Sequence, residues 1–158
     1  SGPTGNAGAL GSMPVPGPAG KPTQLIDVAS IAMLEKALNA RGMDAAHLWT
    51  SPEDWGDLGQ DLDDWLSKAG DALAYAIVAS ASVIDFESAV IDGWMPGKIR
   101  ARLVEAVQAS IGKIDVEGLR LPSVREGTVG IHARALGGAS LPLSERFLVG
   151  ATALSRGP

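Results

Sequence analysis

Apolar side chains recur every three or four residues in several stretches of the chain and alternate with polar ones in shorter stretches between them. Leu25, Ile26, Ala29, Ile31, Ala32, Leu34 and Leu38 fall at helical spacing, with Pro22 near the start and Arg41-Gly42 as a basic last turn and stop. The order Thr50-Ser51-Pro52-Glu53-Asp54 sets a hydroxyl ahead of proline and acids, which predicts a brief second helix through Trp55. After Gly59 a long helix is expected, with Leu62, Trp65, Leu66, Ala69, Leu73, Ala76, Ile77 and Ser80 on one stripe and acids in its first turn. Its second half is built of small residues, suited to close packing. Ala89-Val90-Ile91 predicts a buried strand ended by the turn Asp92-Gly93, and Pro96 opens a further amphipathic helix through Ile99, Leu103, Val104, Val107 and Ile111. Leu119-Arg120-Leu121-Pro122-Ser123-Val124 alternates as a second strand, and a last helical segment starts near Thr128 and carries Ile131, Ala135, Leu136 and Ala139. The opening, residues 1–20, reads as loop, short strand over Ala9 to Val15, and loop. Strands joined by helices at such short spacings indicate an α/β or α+β architecture.

Length and composition narrow this further. A chain of 158 residues forms one domain with a proper core. The apolar share is 46% but the aromatic share only 4%, so the core is aliphatic, Ala-rich and helix-heavy, and part of that apolar surplus is expected to be covered by another lobe or subunit. A net charge of −5 with 13 scattered basic residues argues against nucleic-acid binding by this segment, so DNA contact would have to come through an upstream segment. With no cysteine there is no disulfide, no thiolate zinc site and no thiol nucleophile. No run of about 18 uncharged apolar residues is present, so no membrane partner is expected and the cytoplasm is the expected location.

Three stretches resemble the ROK family of repressors and sugar kinases: Gly5-Asn6-Ala7-Gly8-Ala9-Leu10-Gly11-Ser12-Met13-Pro14-Val15, then Ser88 to Gly93 followed by a helix, then Arg134-Ala135-Leu136-Gly137-Gly138-Ala139-Ser140-Leu141-Pro142-Leu143. Together they span nearly the whole chain. The first is similar to the family loop G-x-x-G-x-A-G-E-x-G-H, and the third to an end-piece A-x-x-L-G-A-A. The resemblance implies the C-terminal lobe of an actin-like ATPase fold related to ribonuclease H, within a longer two-lobed protein. The family's phosphate-binding turn and catalytic Asp would then lie upstream, and homodimers or tetramers are implied.

The same resemblance assigns candidate sites, and the departures from it matter as much. Asn6 and Gly8 fall in the sugar-site loop, where an ordinary turn is the other reading. Ala9 stands where family kinases carry a sugar-binding Glu, and Ser12 where they carry the zinc-ligating His. No metal site and no catalytic residue are therefore expected here. A second sugar-contacting Glu has its counterpart in Gln24-Leu25-Ile26-Asp27-Val28-Ala29-Ser30: ungapped alignment puts Ile26 at its position, and Asp27 is the nearby acid that could accept sugar hydroxyls. Asp92 and Gly93 occupy the place of a nucleotide-approaching Gly-Gly pair, and an acid there repels polyphosphate. His47 and His132 stand alone and read as structural, while Trp49 and Trp55 read as packing residues ahead of sugar-stacking ones.

Two functions follow from these residues. The first is the sugar-sensing domain of a ROK-type transcriptional regulator, binding a sugar or sugar phosphate without kinase activity and without a cofactor. The alternative is the C-terminal lobe of a zinc-free sugar kinase using ATP and magnesium. Loss of the Glu, the His and the Gly-Gly turn weakens phosphoryl transfer more than it weakens sensing.

Overall fold

The computed structural model describes residues 10–17 and 20–129. A single 3₁₀ turn at Leu10–Ser12 leads into strand β1 (Pro14–Pro16), which pairs antiparallel with β2 (Pro22–Gln24) in the register Pro14↔Gln24, Val15↔Thr23. The expected opening strand is therefore shorter and later than its pattern suggests, and it belongs to a hairpin. Pro22, read from the sequence as a helix start, sits in the second strand instead. The hairpin closes where the Gly17 amide bonds the Lys21 carbonyl at 2.9 Å, and a Cβ at Gly17 would collide with that carbonyl.

The first expected helix is interrupted. It forms α1 (Ile26–Ala29) and α2 (Ile31–Ala40), separated by Ser30 in an extended conformation with φ −73° and ψ 151°. At the break the Ser30 carbonyl accepts the Met33 N–H at 3.1 Å and the indole N–H of Trp65 at 3.0 Å. The second helix, α3 (His47–Thr50), ends where the Thr50-Ser51-Pro52 signature was expected to start one. Proline disfavours helical backbone in the residue before it, and Ser51 accordingly has ψ 65°.

Helix α4 (Gly59–Ala81) and helix α5 (Gly97–Ile111) follow the apolar stripes read from the sequence, and strand β3 (Ser88–Ile91) lies between them. β4 (Ser123–Glu126) pairs in parallel with β3, Ser88↔Ser123 through Ile91↔Glu126, so α5 is the crossover of a β-α-β unit. The expected strand at 119–124 thus begins four residues later, after Pro122. Asp63 meets Arg102 at 2.6 Å and Asp71 meets Ser110 at 2.5 Å, so α4 and α5 run side by side in the same direction. Between these pairs, Gly70 packs on Ala106: a Cβ at Gly70 would stand 2.8 Å from the Ala106 Cβ and 3.1 Å from its carbonyl carbon.

The main core gathers Leu34 and Leu38 of α2, Leu48 of α3, Trp55, Leu62, Trp65, Leu66 and Ala69 of α4, Leu103, Val104 and Val107 of α5, and Ile91 and Val124 of the sheet. A smaller cluster of Val15, Leu25, Ala72 and Ala76 seats the hairpin on α4. The strand expected to be buried, Ala89-Val90-Ile91, is buried on one face only: Ile91 enters the core while Val90 is 62% exposed on the other side. The expected last helical segment lies outside the described residues, apart from its first two. Among the described residues no helix is long and apolar enough to cross a membrane.

Replacing Gly70 with Ala forces backbone apart, because part of what the new methyl meets is main chain. We expect a loss of about 1–3 kcal/mol of unfolding free energy in urea titration. Adding Ala106→Gly to the same chain should recover part of it, and equal stability of Gly70→Ala and the parent would refute the close approach.

Candidate functional site

A cleft of about 1290 Å³ lies between the hairpin, α1, α2, α4 and the end of α5. Its floor is apolar and includes Val28, Met33, Trp65, Ala72 and Ile114. Asp61, Asp64, Lys68, Asp71 and Tyr75 line it from α4, spaced by three and four residues in alternation and so on one helix face. Opposite them stand Met33, Lys36, Ala37, Ala40 and Arg41, which share a face of α2 and its cap for the same reason.

Polar contacts organise this wall. The Arg41 Nε pairs with Asp61 Oδ1 at 3.1 Å, and the Asp61 side chain is only 8% exposed. The buried Ser110 hydroxyl donates to Asp71 Oδ1, and the Gln60 amide donates to Asp64 Oδ1 at 2.8 Å. Asp27, exposed in α1, lines the cleft and makes no hydrogen bond or ion pair among the described residues.

Of the candidate site residues among the described ones, Asp27 lines this cleft and Asp92 and Gly93 do not. Ile26, one position earlier and about 100° around the helix, is turned elsewhere: it is 53% exposed and lies against Gly11, whose Cβ would stand 3.6 Å from its own. Leu10 beside it is equally exposed. The position the resemblance gives to the second sugar-binding carboxylate is therefore an exposed aliphatic side chain. Asn6, Gly8, His132 and the Arg134 to Leu143 stretch lie outside the described residues.

Asp92 and Gly93 sit at the C-terminal end of β3, away from the cleft. Asp92 Oδ1 accepts the Gly93 N–H at 2.8 Å and faces Arg100 Nη1 at 3.4 Å, while Oδ2 accepts the Val129 N–H at 3.0 Å. Arg100 Nε also reaches Glu126 Oε2 at 3.4 Å, and the Gly127 amide bonds the Ile91 carbonyl at 2.8 Å. A side chain at Gly127 would overlap the Asp92 carboxylate. Asp92 thus ties the end of β3 to the exit of β4 and the first turn of α5, and the Gly93 N–H is already engaged.

Trp55 is buried in the core with its indole N–H lacking a partner among the described residues, and the Trp94 indole donates to the Trp49 carbonyl at 3.1 Å. His47 donates from Nδ1 to the Asp44 carbonyl at 3.0 Å and serves structure. It borders a smaller cavity of about 380 Å³ with Asp44, Asp54 and Asp57. Each of those carboxylates accepts the backbone N–H two residues on, from Ala46, Gly56 and Gly59, and so builds a turn. No metal-ligating group of three or more side chains forms among the described residues.

Sequence reading missed most of the cleft wall. Its signal was present in the repeat of polar residues at 61, 64, 68, 71 and 75, opposite the apolar stripe of the same helix, but a polar helix face is ordinarily a solvated one.

Two outcomes check these assignments. Asp92→Ala removes the acceptor of two backbone amides, and we expect it to lower unfolding free energy by about 1–3 kcal/mol in chemical denaturation. Asp54 is held below the ordinary carboxylate range by the hydrogen bond from Lys98, then by the Gly56 N–H and by the Lys98 charge. Its folded value being depressed, any stabilisation it gives is present above the ordinary carboxylate pKa and fades as pH falls through the folded value. In Lys98→Gln the Asp54 carboxyl, followed by carbon-detected NMR, should titrate closer to the ordinary range. An unmoved titration would rule out the ion pair as its main cause.

Comparison with known proteins gives little at the level of sequence and more at the level of fold. No family model matches the chain. The uncharacterized protein y4fQ of Sinorhizobium fredii is 30% identical over 90 residues, 57% of this chain and 23% of that protein. The crystal structure of a ROK hexokinase from Thermus thermophilus superposes with a TM-score of 0.56 at 21% identity, covering 91% of this chain and 51% of that one. The chain therefore spans about half the length of that enzyme and matches under a quarter of the Sinorhizobium protein. Helix-rich, with two small sheets and one parallel β-α-β unit, it has a ROK hexokinase-like α/β fold.

Proposed function

We propose that this chain is the sugar-sensing part of a ROK-type transcriptional regulator, binding its effector in the cleft between α1, α2, α4 and α5 without transferring phosphate. The observation that carries this reading is the cleft itself, with the unpartnered Asp27 carboxylate and the half-exposed Tyr75 ring over an apolar floor. A carboxylate accepts hydrogen bonds from sugar hydroxyls, and an aromatic face stacks on the C–H side of a sugar ring. The fold shared with a hexokinase is consistent with a sugar ligand.

The end of β3 argues against the kinase alternative. Among the described residues Asp92 and Glu126 share one Arg100, so two acids stand where a nucleotide would bring further negative charge. Phosphoryl transfer depends on donors and cations held ready for phosphate oxygens. Here the nearby N–H groups of Gly93 and Val129 point at a carboxylate of the protein. DNA contact through an upstream segment, assembly as a homo-oligomer and action in the cytoplasm belong to the same proposal.

Isothermal titration of the full chain with a panel of hexoses tests it. We expect saturable binding of at least one sugar and no sugar-dependent ADP release from ATP and magnesium. Asp27→Asn should weaken the sugar about tenfold, the loss of a hydrogen bond to a charged group. Undiminished binding in Asp27→Asn would move the site away from the cleft, and sugar-dependent ADP release would establish the kinase instead.

A further inference from the structure

Residues 10–17 and 20–29, the hairpin with α1, make one wall of the cleft and pack as a unit of their own. Pro16, Gly17, Thr23, Asp27 and Val28 line the cleft from this side, and α2, α4 and the end of α5 line it from the other. Of the unit's apolar side chains only Val15 (2% exposed) and Leu25 (6%) are buried, while Leu10 and Ile26 are each 53% exposed. Val15 and Leu25 meet Ala72 and Ala76 of α4 in a cluster separate from the main core, to which the unit gives no buried residue. Among the described residues no ion pair reaches the unit. Its polar tether lies at its boundary, where the Trp65 indole holds the Ser30 carbonyl.

A two-stranded hairpin is marginal on its own in water, and a segment with few buried apolar contacts opens at a smaller free-energy cost than the core. Ser30 supplies the pivot. It is extended between two helices, and beyond it α2 is fixed by Leu34 and Leu38 in the main core. We infer that the hairpin and α1 are a cover over the cleft, seating and lifting as one body about Ser30, and that a ligand gripping both walls holds the cover down. This rests on the sugar-sensing reading and goes beyond it by naming the element through which occupancy changes the protein. A ligand that touches Asp27 on the cover and α2, α4 or α5 opposite binds the seated state and not the lifted one, so it shifts the balance toward seating.

Amide hydrogen exchange of the full chain, followed residue by residue by NMR and corrected for intrinsic rates, tests both parts. The Gly17, Leu25 and Ala29 amides are bonded to the carbonyls of Lys21, Met13 and Leu25. Without ligand they should exchange through one common opening, about tenfold or more faster than the Val104 and Val107 amides of α5. Val15→Ala should quicken the three by a common factor. Ile99→Val, a mild change in the main core, should quicken Val104 and Val107 and leave the three unchanged, because that core is intact whether the cover is seated or lifted. If Ile99→Val quickens all five alike, the hairpin opens only with the whole molecule and the cover is overturned. The ligand arm uses whichever of glucose, mannose, fructose and galactose binds most tightly in calorimetry. At ten times its dissociation constant it should slow the three by about tenfold, since lifting releases it. A sugar that binds and leaves them unchanged overturns closure by the ligand and spares the sugar reading. No binding of any of the four overturns the sugar reading and the closure with it, while the ligand-free rates still decide the cover.

Discussion

Two helix backbones separated by little more than one methyl group set the geometry of the rest. The room for a side chain at Gly70 is taken by Ala106, so α4 and α5 approach each other more closely than two ordinary helix faces could. Apolar burial supplies the drive for this packing, but it is non-directional and would tolerate many alignments. The steric fit at Gly70 removes most of them, and the Asp63 to Arg102 and Asp71 to Ser110 contacts fall into register on either side. Because α5 is also the crossover between β3 and β4, the same contact positions the parallel pair of strands. The third wall of the cleft, Ser110, Lys113 and Ile114, follows from it too.

A second constraint acts at Ser30. The Ser30 carbonyl accepts the Met33 N–H at the start of α2 and the Trp65 indole N–H together, so one residue both opens a helix and anchors α4. The extended residue turns α2 away from α1, and the angle between these segments lets Asp27 and Lys36 line one hollow. Periodicity could not show this break, since Leu25, Ile26, Ala29, Ile31, Ala32 and Leu34 keep helical spacing across it. The signal lay in a residue 35 positions away, which no local pattern contains.

The long helices α4 and α5 and the strand β3 were legible because an amphipathic stripe or a β-branched run decides each within its own length. Short elements were less so. The Thr50-Ser51-Pro52 signature promised a helix start and marks instead the end of α3, where the residue before proline leaves helical geometry. Pro22 promised a helix and entered the hairpin, where pairing with Pro16 asks for no N–H. The site divides in the same manner. Asp27 was found as the acid nearest a family position, and it lines the cleft because it stands about 100° around α1 from Ile26. Lys36, Lys68 and Lys113 line the same cleft and were passed over because a single lysine on a polar face carries no signal.

The two ends of α5 differ in how their charges are met. A helix N-terminus favours negative charge and a C-terminus positive charge, and the chain meets both demands with its own side chains. Near the N-terminal end the acid is Asp92, held by two backbone amides and Arg100, so that a phosphate arriving there would have to displace an internal carboxylate already in place. Just beyond the C-terminal end the base is Lys113, which makes no ion pair among the described residues and lines the cleft. The same helix thus begins beside a carboxylate held by its own neighbours and ends beside a lysine that lines the cleft.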